Sequence, residues 1–188
     1  SIVITKRIDS TGNWLVHTDV TGSILELRLN KTNAGVAAGS YFSANSSTFS
    51  HYHGHHMDNG WEFINYCFAP VAGYSAAFSF TGTGADPGPF VYLGFKPALI
   101  IVKRTDNGNA ASNWRMIDMT INPFNVADTL INANTNAAEL TEVYGEYDAL
   151  SNGFRVMTAD SNQNASGGSY IGFAWAEHPF QANGGLAR

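Results

Sequence analysis

The sequence predicts an all-β fold, laid down as two tandem antiparallel β-sandwich modules, and three observations predict it. Charged residues make up 13% of the 188 and hydrophobic residues 44%, with abundant Gly, Asn, Ser and Thr. That balance suits turn-rich sandwiches rather than helical bundles. Apolar or alternating runs of strand length recur between clusters of turn-forming residues. The chain also echoes itself. IVITKRID at residues 2–9 returns within GFKPALIIVKRTD at residues 94–106, and each Lys-Arg pair is followed by a polar turn and then by Asn-Trp, Asn13-Trp14 and Asn113-Trp114. Self-similarity in a fixed order marks a repeat architecture.

The elements follow in chain order. Residues 2–4 are a short apolar strand closed by Lys6-Arg7 and a turn at residues 9–12, and residues 14–16 return as the second arm of a hairpin. Residues 24–29 alternate less cleanly and read as another strand. Residues 30–47 are small and polar, a loop with at most one short strand. Residues 61–68 are a strong strand, with Ile64, Tyr66 and Phe68 on one face and Trp61 and Phe63 on the other. Pro70 ends it. A strand at 74–80 precedes the turn-rich TGTGADPGP of residues 81–89. The module boundary is set ahead of that strand, giving modules 1–72 and 73–188, because the second copy needs it. Strands at 90–93 and 98–103 follow, and residues 113–118 carry Trp114 and Met116 on one face. Leu130-Ile131 opens NANTNAAEL, an echo of LNKTNAG at residues 29–35. Residues 143–147 and 153–158 read as an antiparallel pair around residues 150–153, where Asn152-Gly153 supplies the positive φ such a turn wants. A loop at 160–168 leads to the last strand, 170–176. There Ile171, Phe173 and Trp175 correspond to Ile64, Tyr66 and Phe68, and Ala174 to Cys67. Cys67 therefore reads as a small packed residue. It is the one cysteine, which excludes a disulfide within the chain.

The copies are unequal. The second has leading strands, residues 74–94, ahead of its Lys-Arg strand, and the first begins at Ser1 with nothing in that place. The first also lacks a clear counterpart of the 153–158 strand. A sandwich short of a strand leaves open backbone donors and apolar surface. Two expectations follow: residues ahead of Ser1 have been removed, or a neighbouring chain completes the first module by strand addition. The formal charge of -5 disfavours nonspecific attraction to nucleic acid or anionic membrane. No signal peptide or long apolar run is present, so membrane insertion is not expected and the chain reads as a soluble piece.

The residues that carry chemistry are few. His51, His53 and His55 in HYHGHHMD are spaced by two, which on an extended strand puts all three on one face, with His56 and Asp58 close by. Imidazoles are common ligands for zinc, nickel or iron, so His51, His53, His55 and His56 are the candidate site for a transition metal. A solvated polar loop, or stacking on Tyr52 and Trp61, is the alternative. Residues 160–164, DSNQN, alternate oxygen groups as calcium loops do, but Ala165 and Ile171 stand where an EF-hand wants Gly and Glu. Lys6-Arg7 and Lys103-Arg104 read as strand-end surface charges. Asp106, Asp118, Glu139, Glu142, Glu146 and Glu177 show no spacing that singles out a catalytic pair. GxSxG, HExxH and phosphate-binding glycine loops are absent from the sequence. No catalytic residue is expected, and the chain reads as a non-enzyme.

GPFVYLGFKPALIIVKRTD followed by LSNGFRVMTADSNQNASGGSYIGFAWAEHPF resembles a module repeated in tail-fibre and tail-associated structural proteins of bacteriophages. NYCFAPVAGYSAAFSFTGTG resembles the junction between two such modules. The resemblance implies a concanavalin-like or jelly-roll β-sandwich, displayed extracellularly on a virion tail, and a homo-oligomer, trimeric or polymeric. It implies a non-enzymatic structural or adhesin role at a host surface, with a cell-surface glycan or protein as partner. A purely structural, self-assembling fibre or shell subunit is the alternative, and a glycan-degrading enzyme the third reading. Shared between three chains, histidines spaced by two would offer six nitrogens to one metal, but the HYHGHHMD segment departs from the family's polar loop.

Overall fold

The computed structural model describes residues 1–45, 47–52, 58, 60–109, 112–141 and 146–179. It is all-β apart from one short helical turn. The elements are β1 (Ile2–Arg7), β2 (Trp14–Thr18), β3 (Leu25–Arg28), β4 (Val36–Ala37), β5 (Phe42–Ala44), β6 (Phe49–His51), β7 (Phe63–Phe68), β8 (Ser75–Thr81), β9 (Phe90–Tyr92), β10 (Pro97–Arg104), β11 (Arg115–Asp118), β12 (Thr129–Asn132), β13 (Leu140–Thr141), β14 (Tyr147–Leu150), β15 (Gly153–Val156), α1 (Ser161–Asn164) and β16 (Ser169–Ala176).

The repeat is written into the sheets. One runs β4-β3-β2-β1-β7 and the other β13-β12-β11-β10-β16-β8. Strand for strand they are the same sheet, with β8 added at one edge of the second. Register repeats as well: Ile4 lies opposite Val16 and Tyr66, and Ile101 opposite Met116 and Phe173. Even the turn chemistry is copied. The Trp14 amide donates to Asn30 Oδ1 at 3.0 Å while Asn30 Nδ2 donates to Asn13 Oδ1 at 3.1 Å. Trp114 does the same with Asn134 at 2.8 Å, and Asn134 with Asn113 at 2.7 Å. Arg7 Nε reaches Asp9 at 2.6 Å, and Arg104 Nε reaches Asp106 at 2.8 Å. The two-residue echo read from the sequence is thus one structural device used twice. It spaces the Lys-Arg strand from its Asn-Trp neighbour.

The two sheets pack on one another. Ile2, Ile4, Val16 and Leu27 of the first share one apolar core with Ile101, Trp114, Ile171 and Phe173 of the second. Trp114 is fully buried, and its indole Nε1 donates to the Arg28 carbonyl at 2.9 Å. The opposite face of the second sheet, with Ile100, Val102, Ile117 and Leu130, is covered by the sheet β14-β15-β9 through Val91, Tyr147, Phe154 and Val156. The outward face of the first sheet is covered in the same manner by the β5-β6 hairpin, through Val3, Phe42 and Phe49. β10 is therefore apolar on both faces, which is why its sequence is a continuous apolar run rather than an alternation.

Several expectations change. Cys67 is exposed rather than packed, and Gly153 opens β15 without the positive φ expected of it. The first repeat does have a counterpart of the 153–158 strand: β6, which pairs with β5 as β15 pairs with β14. Its sequence is too polar and short to announce itself. Residues 30–47 hold two short strands, β4 and β5, because each needs only two or three ladder bonds to a neighbour already in place. Lys103 is not a surface charge. It is buried, with Nζ donating to the Thr32 carbonyl of the first repeat at 3.0 Å and to the Arg104 carbonyl at 2.7 Å. The packing of one repeat against the other closes over Lys103.

Candidate functional site

Among the described residues, a group of titratable side chains lies inside the first repeat, between its sheet and the β5-β6 hairpin. His17 on β2 and Glu26 on β3 are direct cross-strand neighbours. Period-two alternation turns both to the hairpin face, away from the core shared by the repeats. Both are almost wholly buried, with His17 Nε2 3.4 Å from Glu26 Oε2. The His17 ring lies flat on Phe42, centroids 4.2 Å apart, and meets the edge of His51 at 5.0 Å. His51 on β6 brings Nε2 to 3.4 Å from Thr5 Oγ1, and Thr5 Oγ1 donates to Asn65 Oδ1 at 2.7 Å. Tyr41 bonds Glu26 through its hydroxyl. Burial, then the charge of Glu26, raises that hydroxyl's pKa.

The same scaffold positions in the second repeat are apolar. By register, Ile117 stands for His17, Leu130 for Glu26 and Val102 for Thr5, and all three belong to an apolar core. The fold therefore does not require polar groups there. Burying a carboxylate and an imidazole in place of Ile and Leu costs desolvation that a hydrophobic pair avoids. A buried carboxylate, two imidazoles and a phenol are groups that general acid–base chemistry uses. His17 and Glu26 are buried between the layers here, while Tyr41 and His51 are half-buried at the margin of the cluster.

Of the candidate metal ligands, His51 is thus turned into this cluster. His53, His55 and His56 lie outside the described residues, as does Glu142. Among the described residues no three His, Cys, Asp or Glu side chains are grouped to hold a metal ion. Four of the remaining carboxylates have separate local partners: Asp106 with Arg104, Glu146 with Arg115, Glu177 with Lys96, and Asp118 accepting the Thr120 amide; Glu139 is exposed. The 160–164 segment is a clamp. Asp160 Oδ1 caps α1 at the Asn162 amide, and Asn164 is buried, accepting from the Thr83 amide at 2.7 Å and donating to the Ala85 carbonyl at 2.7 Å. Its oxygens hold the β8-β9 connection. His17 and Glu26 were missed from sequence alone. Setting WLVHT against WRMID, and LELRL against TLINA, would have shown His and Glu standing where the other copy has Ile and Leu.

A family sequence model described as a domain of unknown function, DUF7483, matches residues 1–179. The chain belongs to the DUF7483 family. No curated protein and no solved structure matches it. The DUF7483 match spans both repeats.

Two expected results concern the titratable groups of this DUF7483 chain. Burial, then the neighbouring His17, lowers His51 from 6.5 to about 4, against a weaker opposing pull from Glu26. Between those values the unfolded chain binds the proton and the folded chain does not, so stability falls as pH falls from 6.5 toward about 4. His51→Phe should flatten that part of the profile in melts recorded at stepped pH. Burial lowers Lys103 from 10.5 to about 8. Across that window the unfolded state again binds more protons, so this lysine's contribution makes stability rise with pH from about 8 to 10.5. Lys103→Met should remove that rise, read as the difference between urea midpoints of the two proteins at either end of the window.

Proposed function

We propose that this chain is a non-enzymatic structural and adhesive module of a phage tail fibre, presenting its loops on a rigid β-scaffold to a host-surface glycan or protein. The observation that supports the reading is the core shared by the two repeats: it makes the pair one stiff body. Display falls to loops. The tryptophans are buried or half-buried, whereas Phe124 is 82% exposed and Tyr92 69% exposed. Phe124 adjoins a cleft of about 280 Å³ lined by Lys96, Asn122, Asn125 and Glu177. An exposed ring beside amides and charges is the composition that carbohydrate-binding surfaces use. A glycan array and host-cell binding assay tests this: Phe124→Ala and Tyr92→Ala should abolish retention without changing the melting temperature. Binding unaltered in both variants would remove these exposed rings, Tyr92 at the end of β9 and Phe124 in its loop, from the account.

A self-assembling fibre or shell subunit is the second reading, favoured by the exposed Ile64 and Tyr66 on β7. Light scattering on the purified chain distinguishes a trimer, expected for a fibre, from an open polymer. A transition metal held by the His51, His53, His55 and His56 run belongs to the trimeric form of the proposal. Metal analysis of protein made without an affinity tag tests it, and absence of stoichiometric metal removes it. Turnover of a host polysaccharide would overturn the non-enzymatic reading.

A further inference from the structure

The strand plan of the first repeat stops short of the second in a definite place. β1 to β7 correspond one for one with β10 to β16, since both sheets share the order of neighbours and both hairpins cover the same face. What the second repeat has in addition is the pair β8 and β9. β8 bonds the outer edge of β16, from Ser169 opposite Thr81 to Trp175 opposite Ser75. β9 bonds the outer edge of β15, with Phe154 opposite Val91. Among the described residues, no strand bonds the outer edge of β7 or of β6.

The consequences are visible on the side chains. Ile171 and Phe173 on β16 are buried, while the equivalent Ile64 and Tyr66 on β7 are each 42% exposed. Cys67 is exposed where the equivalent Ala174 is fully buried. Behind β7 lies a cleft of about 230 Å³, lined by Val3, Phe49, Cys67, Phe68 and Ala69. The matching residues Ile100, Ala174 and Ala176 of the second repeat are covered there by Ala76 and Phe78 of β8. An edge with unpaired amides beside an apolar cleft is the arrangement that strand addition completes.

We infer that the outer edge of β7 and the cleft behind it receive an extended antiparallel strand of the β8 kind, supplied by a further repeat of this same module. The second repeat states the occupant's chemistry, and one difference sharpens it. Gly172 is glycine because a Cβ there would stand 2.4 Å from the Phe78 ring and 2.2 Å from the Ile101 carbonyl oxygen. Its equivalent on β7 is Asn65. The incoming strand therefore carries a small residue opposite Cys67, as Ala76 lies opposite Ala174, and a Ser-sized residue rather than Phe opposite Asn65. The inference does not depend on what the loops bind, and its failure would leave the host-surface reading untouched.

The test uses the full chain and its exposed thiol. Two synthetic peptides are added, residues 74–82 unchanged and the same segment with Phe78→Ser, beside a scrambled control. The readouts are the rate of Cys67 labelling by a disulfide reagent and amide hydrogen exchange across residues 63–68. The Phe78→Ser peptide should slow labelling at least tenfold and protect the β7 amides, the unchanged peptide should act more weakly, and the scrambled peptide should do neither. Because free peptides meet an entropy cost that tethering removes, a second chain is made in which residues 73–96 with Phe78→Ser are duplicated ahead of Ser1. Protection of Cys67 in either format supports the inference. Labelling as fast as in the parent in both formats, or equal protection by the scrambled peptide, overturns it.

Discussion

Trp114→Ala should lower the stability of the whole chain by about 3–5 kcal/mol, the range for removing a large buried aromatic. The effect should reach both repeats at once. Trp114 is fully buried in the core that the two sheets share, its ring 6.4 Å from Phe173, and its indole donates to the Arg28 carbonyl of the other repeat. Truncation opens a cavity in the core that holds Ile2, Ile4 and Val16 and also removes one of the two hydrogen bonds to the Arg28 carbonyl. Trp114→Phe separates the two terms. It keeps most of the packing and should cost about 0.5–1.5 kcal/mol, the net worth of one hydrogen bond, since the Arg28 carbonyl still accepts the Lys31 amide at 3.1 Å. Equilibrium unfolding in urea measures both. Losing only the first repeat's structure in Trp114→Ala would mean that the second sheet does not need the first to cover it.

Glu26→Leu should destabilise by about 3 kcal/mol or more, because removing one member of a buried pair strands the other. His17 sits almost fully buried with its Nε2 3.4 Å from Glu26 Oε2, and a leucine there leaves the imidazole facing hydrocarbon. The double variant His17→Ile with Glu26→Leu should recover that loss and exceed the parent, since it installs the Ile117 and Leu130 pairing that the second repeat already packs and hydrophobic replacement of a buried pair is neutral to stabilising. A double-mutant cycle read by chemical denaturation gives the coupling. If the double variant were no better than Glu26→Leu alone, the two repeats would not be interchangeable at these positions. The polar cluster would then be required by the first repeat's own packing.

How far the sequence carried these conclusions depended on which force set each feature. The β-class and the duplication were legible because period-two patterning and turn residues are local, and the Asn-Trp motif recurs intact. The strands at residues 61–68 and 170–176 were matched from sequence through Ile64, Tyr66 and Phe68 against Ile171, Phe173 and Trp175, and the register repeats as that match requires. Lys103 was misread because its burial comes from Thr32 and the sheet of the other repeat, contacts that no local pattern records. β6 was missed because FSH is held by pairing with β5 rather than by its own propensity. The histidine run drew attention through its spacing, yet the partner of His51 is His17, distant in sequence and unremarkable until the repeats are laid side by side.

The central claim is that two copies of one sheet fold as a single cooperative body around a common core. Native-state amide hydrogen exchange tests it most directly. The slowest amides of β1 and β2 should open with the same free energy and the same denaturant dependence as those of β10, β11 and β16, and Trp114→Ala should lower all of them by the same amount. Opening of β1 and β2 at a distinctly lower free energy, with β10 and β16 still protected and unmoved by Trp114→Ala, would contradict the account.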